Sequence, residues 1–354
     1  MKNYEDLIKK TETMIGEIFK NIPQTKLILK KADVSTLGPD LLVYLKRPEG
    51  SKTVIFEIKN NGQPREARIT IHQIQQQLKN FPNAYGVMVA PFVSNQVAEI
   101  CQEAGIGYMD LAGNCRLAFD NIFIESKGAS NPFTKRRDLR SLYSPKASRV
   151  LRVLLNKPSR IWKMQELGRE SSVSLGQIAK VKNLLEDREW IKISTEGIKL
   201  TKPLELLKEW ASDYSYFEDN SIERFYTLKS QDEMMKVMAN NFKGMNILGF
   251  ENQFALTGFA GSDLIFPFVR GGQLSMYVEK MDFWVERLEL KKVDSGENVQ
   301  MVIPYDEGVF YGAEIHQGVP VVSNIQLYLD LETAGGRGQD AAERILNEEI
   351  LKKW

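Results

Sequence analysis

Two hydrophobic rhythms alternate along the first third of this chain. Met14, Ile15, Ile18 and Phe19 recur at helical spacing and predict a helix near the start. Leu41-Leu42-Val43-Tyr44-Leu45 and Val54-Ile55-Phe56-Glu57-Ile58-Lys59 are short, β-branched or aromatic runs. Turn formers bound both: Gly38-Pro39 before, Pro48-Glu49-Gly50-Ser51 between, Asn60-Asn61-Gly62 after. They predict two adjacent strands of one hairpin. The spacing from Arg65 to Leu78 predicts a helix with Ile69, Ile74 and Leu78 on its apolar face and Gln73 and Gln77 stacked on another. Ala84–Pro91 reads as a buried strand, Ser94–Ala104 as an amphipathic helix, and Gly105–Asn114 as a strand entering a turn; Arg116–Ile124 continues the sheet. Strand and helix in alternation predict an α/β sheet for residues 1–127.

The rhythm then becomes helical. A helix from about Lys146 to Asn156 is apolar at Val150, Leu151, Val153 and Leu154, and Lys157-Pro158-Ser159 stops it. A short helix covers Lys163–Glu170, and Ser171-Ser172-Val173-Ser174 supplies a turn and cap for a third helix running to about Arg188. Trp190–Ile193, Ser194–Gly197 and Ile198–Thr201 read as strand, turn, strand. The last stretch, 222–354, predicts an α+β region that ends in a helix buried through Ala342, Ile345, Leu346 and Ile350. Gly335-Gly336-Arg337-Gly338 has neither the spacing nor the lysine of a phosphate-binding loop and reads as a joint into that helix.

Composition changes the picture in one place. The 354 residues, 43% hydrophobic and 26% charged, suit two or three globular domains. No apolar run approaches the ~18 residues of a membrane span, and the polar start is no signal peptide, so a cytoplasmic protein is expected, with no membrane partner. Cys101 and Cys115 lack metal-finger spacing and read as buried thiols, and two histidines, His72 and His316, give little basis for a histidine metal site. The net charge of +1 conceals an asymmetry: residues 127–202 hold 18 Lys and Arg against 7 Asp and Glu, so about −10 lies elsewhere. Charge concentrated like this is the electrostatic footprint of a nucleic-acid partner.

Three helices and a hairpin within this basic segment resemble a winged helix-turn-helix, placed at 145–212. That resemblance puts the third helix in the major groove, with Ser174 and Gln177 toward base edges. It assigns phosphate contacts to Arg149, Arg152, Lys180, Lys182 and Lys199. The basic run Lys135-Arg136-Arg137 and Arg140 reads as a linker into it.

The chemistry concentrates in the first hairpin. Side chains alternate across a strand, so Glu57 and Lys59 emerge on one face, and Asp40 opens the neighbouring strand. Carboxylates and a lysine are costly to desolvate, which points to a wet or metal-filled cleft. Two carboxylates supply hard oxygens suited to Mg²⁺ (or Mn²⁺). Pro39-Asp40 followed by Glu57-Ile58-Lys59 resembles the PD-(D/E)xK signature of restriction-endonuclease-like nucleases. The resemblance implies an α/β restriction-endonuclease-like domain over 1–127 and metal-dependent DNA endonuclease activity. Its metal ligands would be Asp40 and Glu57, its charge-stabilising residue Lys59, and a glutamine on the following helix, Gln73 or Gln77, would serve the site. Glu12 or Glu17 could add a first-helix carboxylate. Asp110 and Asn114, at strand ends, are further candidates for phosphate or metal contact, although turn chemistry explains them equally.

The C-terminal pattern includes Phe254–Gly261, Pro267-Phe268-Val269-Arg270 and Val322–Leu331. It resembles the AbiEi family, antitoxins and transcriptional regulators of type IV toxin–antitoxin systems. This implies a noncatalytic regulator with a toxin protein as partner, its nuclease fold kept as a platform. The leading expectation is nevertheless a nuclease site delivered to DNA by the winged module.

Overall fold

The computed structural model describes residues 4–20, 22–31, 38–48, 50–128, 142–248, 253–266 and 273–354. The expected basic linker 135–140 and the run 267–270 lie outside them. The described residues group into two compact units, one within 1–135 together with 186–189 and one within 136–185 and 190–354.

The first unit is a mixed sheet of seven strands in sequence order, β1 (Lys26–Lys31), β2 (Leu41–Arg47), β3 (Gly50–Ile58), β4 (Ala84–Ala90), β5 (Gly107–Asp110), β6 (Cys115–Phe119) and β7 (Ile122–Ser126). β3, β4 and β5 run parallel, and the outer pairs are antiparallel. Helix α1 (Tyr4–Lys20) covers one face, its Leu7, Ile15 and Phe19 packing on Leu41, Val43, Val54 and Phe56. Helices α2 (Pro64–Leu78) and α3 (Asn95–Glu103) cover the other, around Met88, Ala90 and Tyr108. Burying these two faces is the main driving force for the unit.

Alternation in β2 is strict: Leu41, Val43 and Leu45 are buried, with Leu42 and Tyr44 half-buried between them. The β2–β3 register pairs Leu41 with Phe56, and continuing it one place sets Asp40 opposite Glu57. β3 gains one further pairing bond beyond its end, from the Lys59 N–H to the Val89 carbonyl at 2.8 Å. Gly62, between β3 and α2, admits no side chain, because a Cβ there would stand 2.0 Å from the Phe92 carbonyl oxygen.

Two local features depart from the sequence reading. β1 lies where that reading places no element. On α2 the buried positions are Ala67, Thr70, Ile71 and Ile74, while Ile69 is 47% exposed, so the apolar stripe is rotated from the expected one.

In the second unit, α4 (Pro145–Asn156), α5 (Met164–Glu170) and α6 (Leu175–Asp187) precede an antiparallel hairpin, β8 (Ile191–Ile193) and β9 (Ile198–Leu200). Trp162 adds an isolated bridge to Ile198. Helices α7 (Pro203–Asp213) and α8 (Tyr216–Asp219) lead into a second seven-stranded mixed sheet. Its strands are β10 (Ser221–Tyr226), β11 (Phe254–Thr257), β12 (Leu274–Val278), β13 (Lys291–Lys292), β14 (Val299–Ile303), β15 (Glu314–His316) and β16 (Val319–Val321), in the order β13-β10-β14-β12-β11-β16-β15. Helices α9 (Gln231–Leu248) and α11 (Met281–Arg287) pack on one face through Met238 and Trp284. Helix α10 (Gly258–Ile265) follows β11 directly, and α12 (Asn324–Glu332) and α13 (Arg337–Ile345) carry the chain toward its end. Leu151 and Leu154 of α4, Trp210 of α7, Tyr277 of β12 and Leu327 of α12 lie in one continuous core. The three-helix segment and the C-terminal sheet thus share a hydrophobic interior.

Candidate functional site

The hairpin β2–β3 brings the expected carboxylates together. Asp40 Oδ1 accepts from the Tyr4 hydroxyl at 2.6 Å, and Oδ2 accepts from the Ile58 N–H at 2.7 Å. The second contact also has a purely structural role: the side chain stands in for a main-chain acceptor where β2 ends. Glu57 is 5% exposed. Its Oε1 accepts from Gln77 Nε2 at 2.6 Å and its Oε2 from Lys59 Nζ at 3.2 Å. Burial raises the Glu57 carboxyl above its ordinary range, and the Asp40 charge adds to this; Gln77 and Lys59 pull the other way. The Tyr4 hydroxyl is likewise pushed up by burial and by its bond to Asp40.

Gln77, not Gln73, therefore serves this cluster. Gln73 is exposed on α2, whereas Gln77 lies two turns beyond buried Thr70 and points at Glu57. Gln77 Oε1 is buried and has no hydrogen-bond partner. Two carboxylates, each oxygen of which uses one of its two acceptor sites, supply hard oxygens that fit a divalent cation, and the orphaned Gln77 carbonyl lies on the residue that holds Glu57. Among the described residues no three or more His, Cys, Asp or Glu converge, so the acidic part of the set stops at two. Glu17 is exposed and lines a separate cleft of about 570 Å³ with Ile18, Leu111 and Cys115. Glu12 lies half-buried on α1.

Asp110 is engaged by the fold itself. It is fully buried and accepts from the N–H groups of Val93, Ala112 and Asn114 and from Asn114 Nδ2, so turn chemistry uses its acceptors. Cys101 and Cys115 are buried thiols, and burial pushes Cys101 up to about 12.

The expected DNA-contacting residues divide into two groups. Ser174, Lys180 and Lys199 are exposed; Gln177 and Lys182 are half-buried on α6. Ser174 Oγ also accepts from the Gln177 N–H at 3.4 Å, as a helix cap would. Arg149 and Arg152 are not available to phosphate. Arg149 forms a two-point ion pair with Asp306, at 2.7 and 2.8 Å. Arg152 is fully buried, donating to Gln326 at 3.0 Å, Ser148 at 2.8 Å and Tyr305 at 3.0 Å, with its guanidinium over the Trp210 ring. The C-terminal region supplies Asp306, Tyr305 and Gln326, so the basic count overstated what this segment offers to a partner.

Sequence reasoning missed the continuation of this network. Gln326 Nε2 donates to Asp330 Oδ1 at 2.8 Å, and the same oxygen accepts from Tyr214 at 2.7 Å and Tyr277 at 3.0 Å. Thr257 donates to Oδ2. Burial raises Asp330 to about 6 despite these four donors. Gln326 thus relays between a buried cation and a buried carboxylate. The only sequence signal was Gln326 and Asp330 at helical spacing in an otherwise apolar run.

Among the described residues no helix is long and apolar enough to cross a membrane. A comparison with the curated proteins gives no match. Among solved structures, EndoMS in apo form is similar at 20% identity over 28% of this chain and 45% of that one, with a TM-score of 0.21. A repair endonuclease from Pyrococcus abyssi is similar at 18% over 31% and 49%, with a TM-score of 0.23. The chain spans less than half of each of these proteins. Residues 199–352 match the family described as transcriptional regulator, AbiEi antitoxin, type IV toxin–antitoxin system, and in this C-terminal region the chain is similar to that family.

Proposed function

We propose that this chain is a DNA-binding transcriptional regulator of the AbiEi antitoxin type. The match of residues 199–352 to that family carries the reading. The segment α4–α6 with hairpin β8–β9 supports it as a winged helix-turn-helix, held on the matched region by the Arg149–Asp306 pair and the Arg152 network. In this reading Ser174 and Gln177 face base edges, and Lys180, Lys182 and Lys199 contact phosphate. The partners are duplex DNA and, from the family's description, a toxin protein; the compartment is that of the DNA, the cytoplasm. The test is a gel-shift titration of the full chain on the DNA upstream of its own gene across a salt series, with a promoter–reporter assay. Steep salt dependence and repression are expected. Salt-insensitive binding, or an unaltered reporter, rejects the reading.

A second reading, metal-dependent DNA cleavage, is favoured by the convergence of Asp40, Glu57, Lys59 and Gln77. Asp40 and Glu57 would hold Mg²⁺ or Mn²⁺, with Gln77 fixing the Glu57 carboxylate by its amide N–H. Such an ion supplies a more acidic bound water and neutralises charge building on the phosphate. Lys59 balances the Glu57 charge and can orient a water or steady a phosphate oxygen. Tyr4 fixes the Asp40 carboxylate by its hydrogen bond. Supercoiled, linear and branched DNA incubated with Mg²⁺, Mn²⁺ or EDTA tests it. Asp40→Asn, Glu57→Gln and Lys59→Ala should each abolish cleavage and leave duplex binding intact. No cleavage of any form leaves the regulator reading alone.

A further inference from the structure

Helix α2 covers the sheet face that carries Glu57 over β3 and β4, where Gln77 reaches Glu57. Toward the edge strand β1, the lysines on the same face are exposed. Strand registers arrange it in rows across β1, β2 and β3: Lys30, Leu42 and Ile55; then Ile28, Tyr44 and Thr53; then Lys26, Lys46 and Ser51. Asp40 and Glu57 lie one row before the first of these. Residues of opposite parity, Leu27, Leu29, Val43 and Leu45, pack toward α1 on the other face. Ile28, Leu42 and Tyr44 remain half-exposed, and Lys26, Lys30 and Lys46 are exposed. Successive rows step by about 7 Å, so the face runs roughly 20 Å from the carboxylates.

Its charges are arranged for a partner rather than for the fold. Lys26 and Lys46 stand directly opposite each other, a like-charge pairing that destabilises a sheet. Among the described residues none of the three lysines forms an ion pair. Lys30 Nζ lies 5.6 Å from the centroid of the Tyr44 ring, so an aromatic face is set among cations. Lysines with an accessible ring between them suit a polyanion whose bases are unstacked. A duplex keeps its bases inside and offers Tyr44 nothing to stack on, whereas a single strand offers both phosphates and bases.

We propose that this face of β1 and β2 is a docking surface for a single strand of nucleic acid, leading to the Asp40–Glu57 pair. Lys26, Lys30 and Lys46 contact phosphates, and Tyr44 stacks on a base. The proposal deepens the cleavage reading of that pair by naming its substrate class, and it is tested separately from it.

The experiment is fluorescence anisotropy of the full chain with a labelled (dT)20 strand in EDTA over a salt series, in a Lys180→Ala/Lys199→Ala background that weakens the duplex-binding module. In the triple variant Lys26→Ala/Lys30→Ala/Lys46→Ala, affinity should fall at least about tenfold, and the slope of log K against log salt should shrink by about 2. Tyr44→Ala should lose about 5- to 150-fold, and Tyr44→Phe should retain binding. Circular dichroism melting checks folding, and Lys→Gln versions at the three positions provide a second series. Unchanged (dT)20 affinity in both series overturns the proposal. So does a triple variant that loses self-association by sedimentation while binding (dT)20 normally, because the face would then seat a second copy. Asp40→Asn should leave (dT)20 affinity within about twofold. Wild-type binding that depends on the lysines, without cleavage in Mg²⁺, supports the surface and rejects only the cleavage reading.

Discussion

Replacing Arg152 with Met separates a structural cation from a DNA-contacting one. The substitution keeps much of the aliphatic volume and removes the guanidinium that reaches Gln326, Ser148 and Tyr305. It also removes the stacking over Trp210, 5.0 Å from the ring centroid. Asp330 stays buried, now beside a Gln326 whose carbonyl has lost its donor. Breaking a buried, hydrogen-bonded charge arrangement of this kind costs about 3–5 kcal/mol. For a unit of this size each kcal/mol lowers Tm by ~2–4 °C, so a drop of about 6–20 °C is expected by differential scanning calorimetry. A phosphate contact would behave otherwise: Tm would hold, and the salt slope of duplex binding would fall by about 0.9. A Tm within about 2 °C of wild type together with the smaller salt slope would refute the burial argument and return Arg152 to the DNA.

Three further outcomes are expected. Burial raises the Asp330 carboxyl from 3.8 to about 6 in the folded chain, so its contribution is fully present below 3.8 and is lost as pH rises through about 6. At ~1.4 kcal/mol per unit, urea unfolding should show wild type losing up to about 3 kcal/mol relative to Asp330→Asn between pH 4 and 7; parallel pH profiles would contradict this. Gln77→Ala should weaken Mn²⁺ binding, measured by calorimetry, by about 10–100-fold, and Gln73→Ala by less than about twofold; equal effects would undo the assignment of Gln77. Lys180→Ala should cut the duplex salt slope by about 0.9 with Tm unchanged, and an unaltered slope would remove α6 from the interface.

What was legible in the sequence was local. The hairpin 41–58 declared itself because short β-branched or aromatic runs between turn residues are read over two to six positions, and stop and cap residues set the ends of α4, α5 and α6 within about two residues. Glu57 and Lys59 were readable as a pair because a strand fixes parity. Strand β1 was not, since Lys-Leu-Ile-Leu-Lys-Lys carries only two inward residues, Leu27 and Leu29, and an outward Ile28 blurs the alternation. On α2 the expected stripe began at Ile69, which is exposed, and starting from buried Thr70 instead brings Gln77 toward Glu57.

The arginines mark the harder limit. Arg149 and Arg152 sit in a locally basic segment, and no carboxylate lies within a turn of either. Their partners lie 157 and 174 residues later in the chain. A count of +11 over a segment assumes that each charge faces solvent, and the fold spends two of those charges inside. The same argument strengthens what remains. Charges that stay outside after the core is closed, Lys180 and Lys199 in one unit and Lys26, Lys30 and Lys46 in the other, lack a buried role that would account for them. Composition alone placed the electrostatic signal only in 127–202. Burial redistributes it to three lysines on an edge sheet, in a part of the chain whose overall charge gave no hint of them.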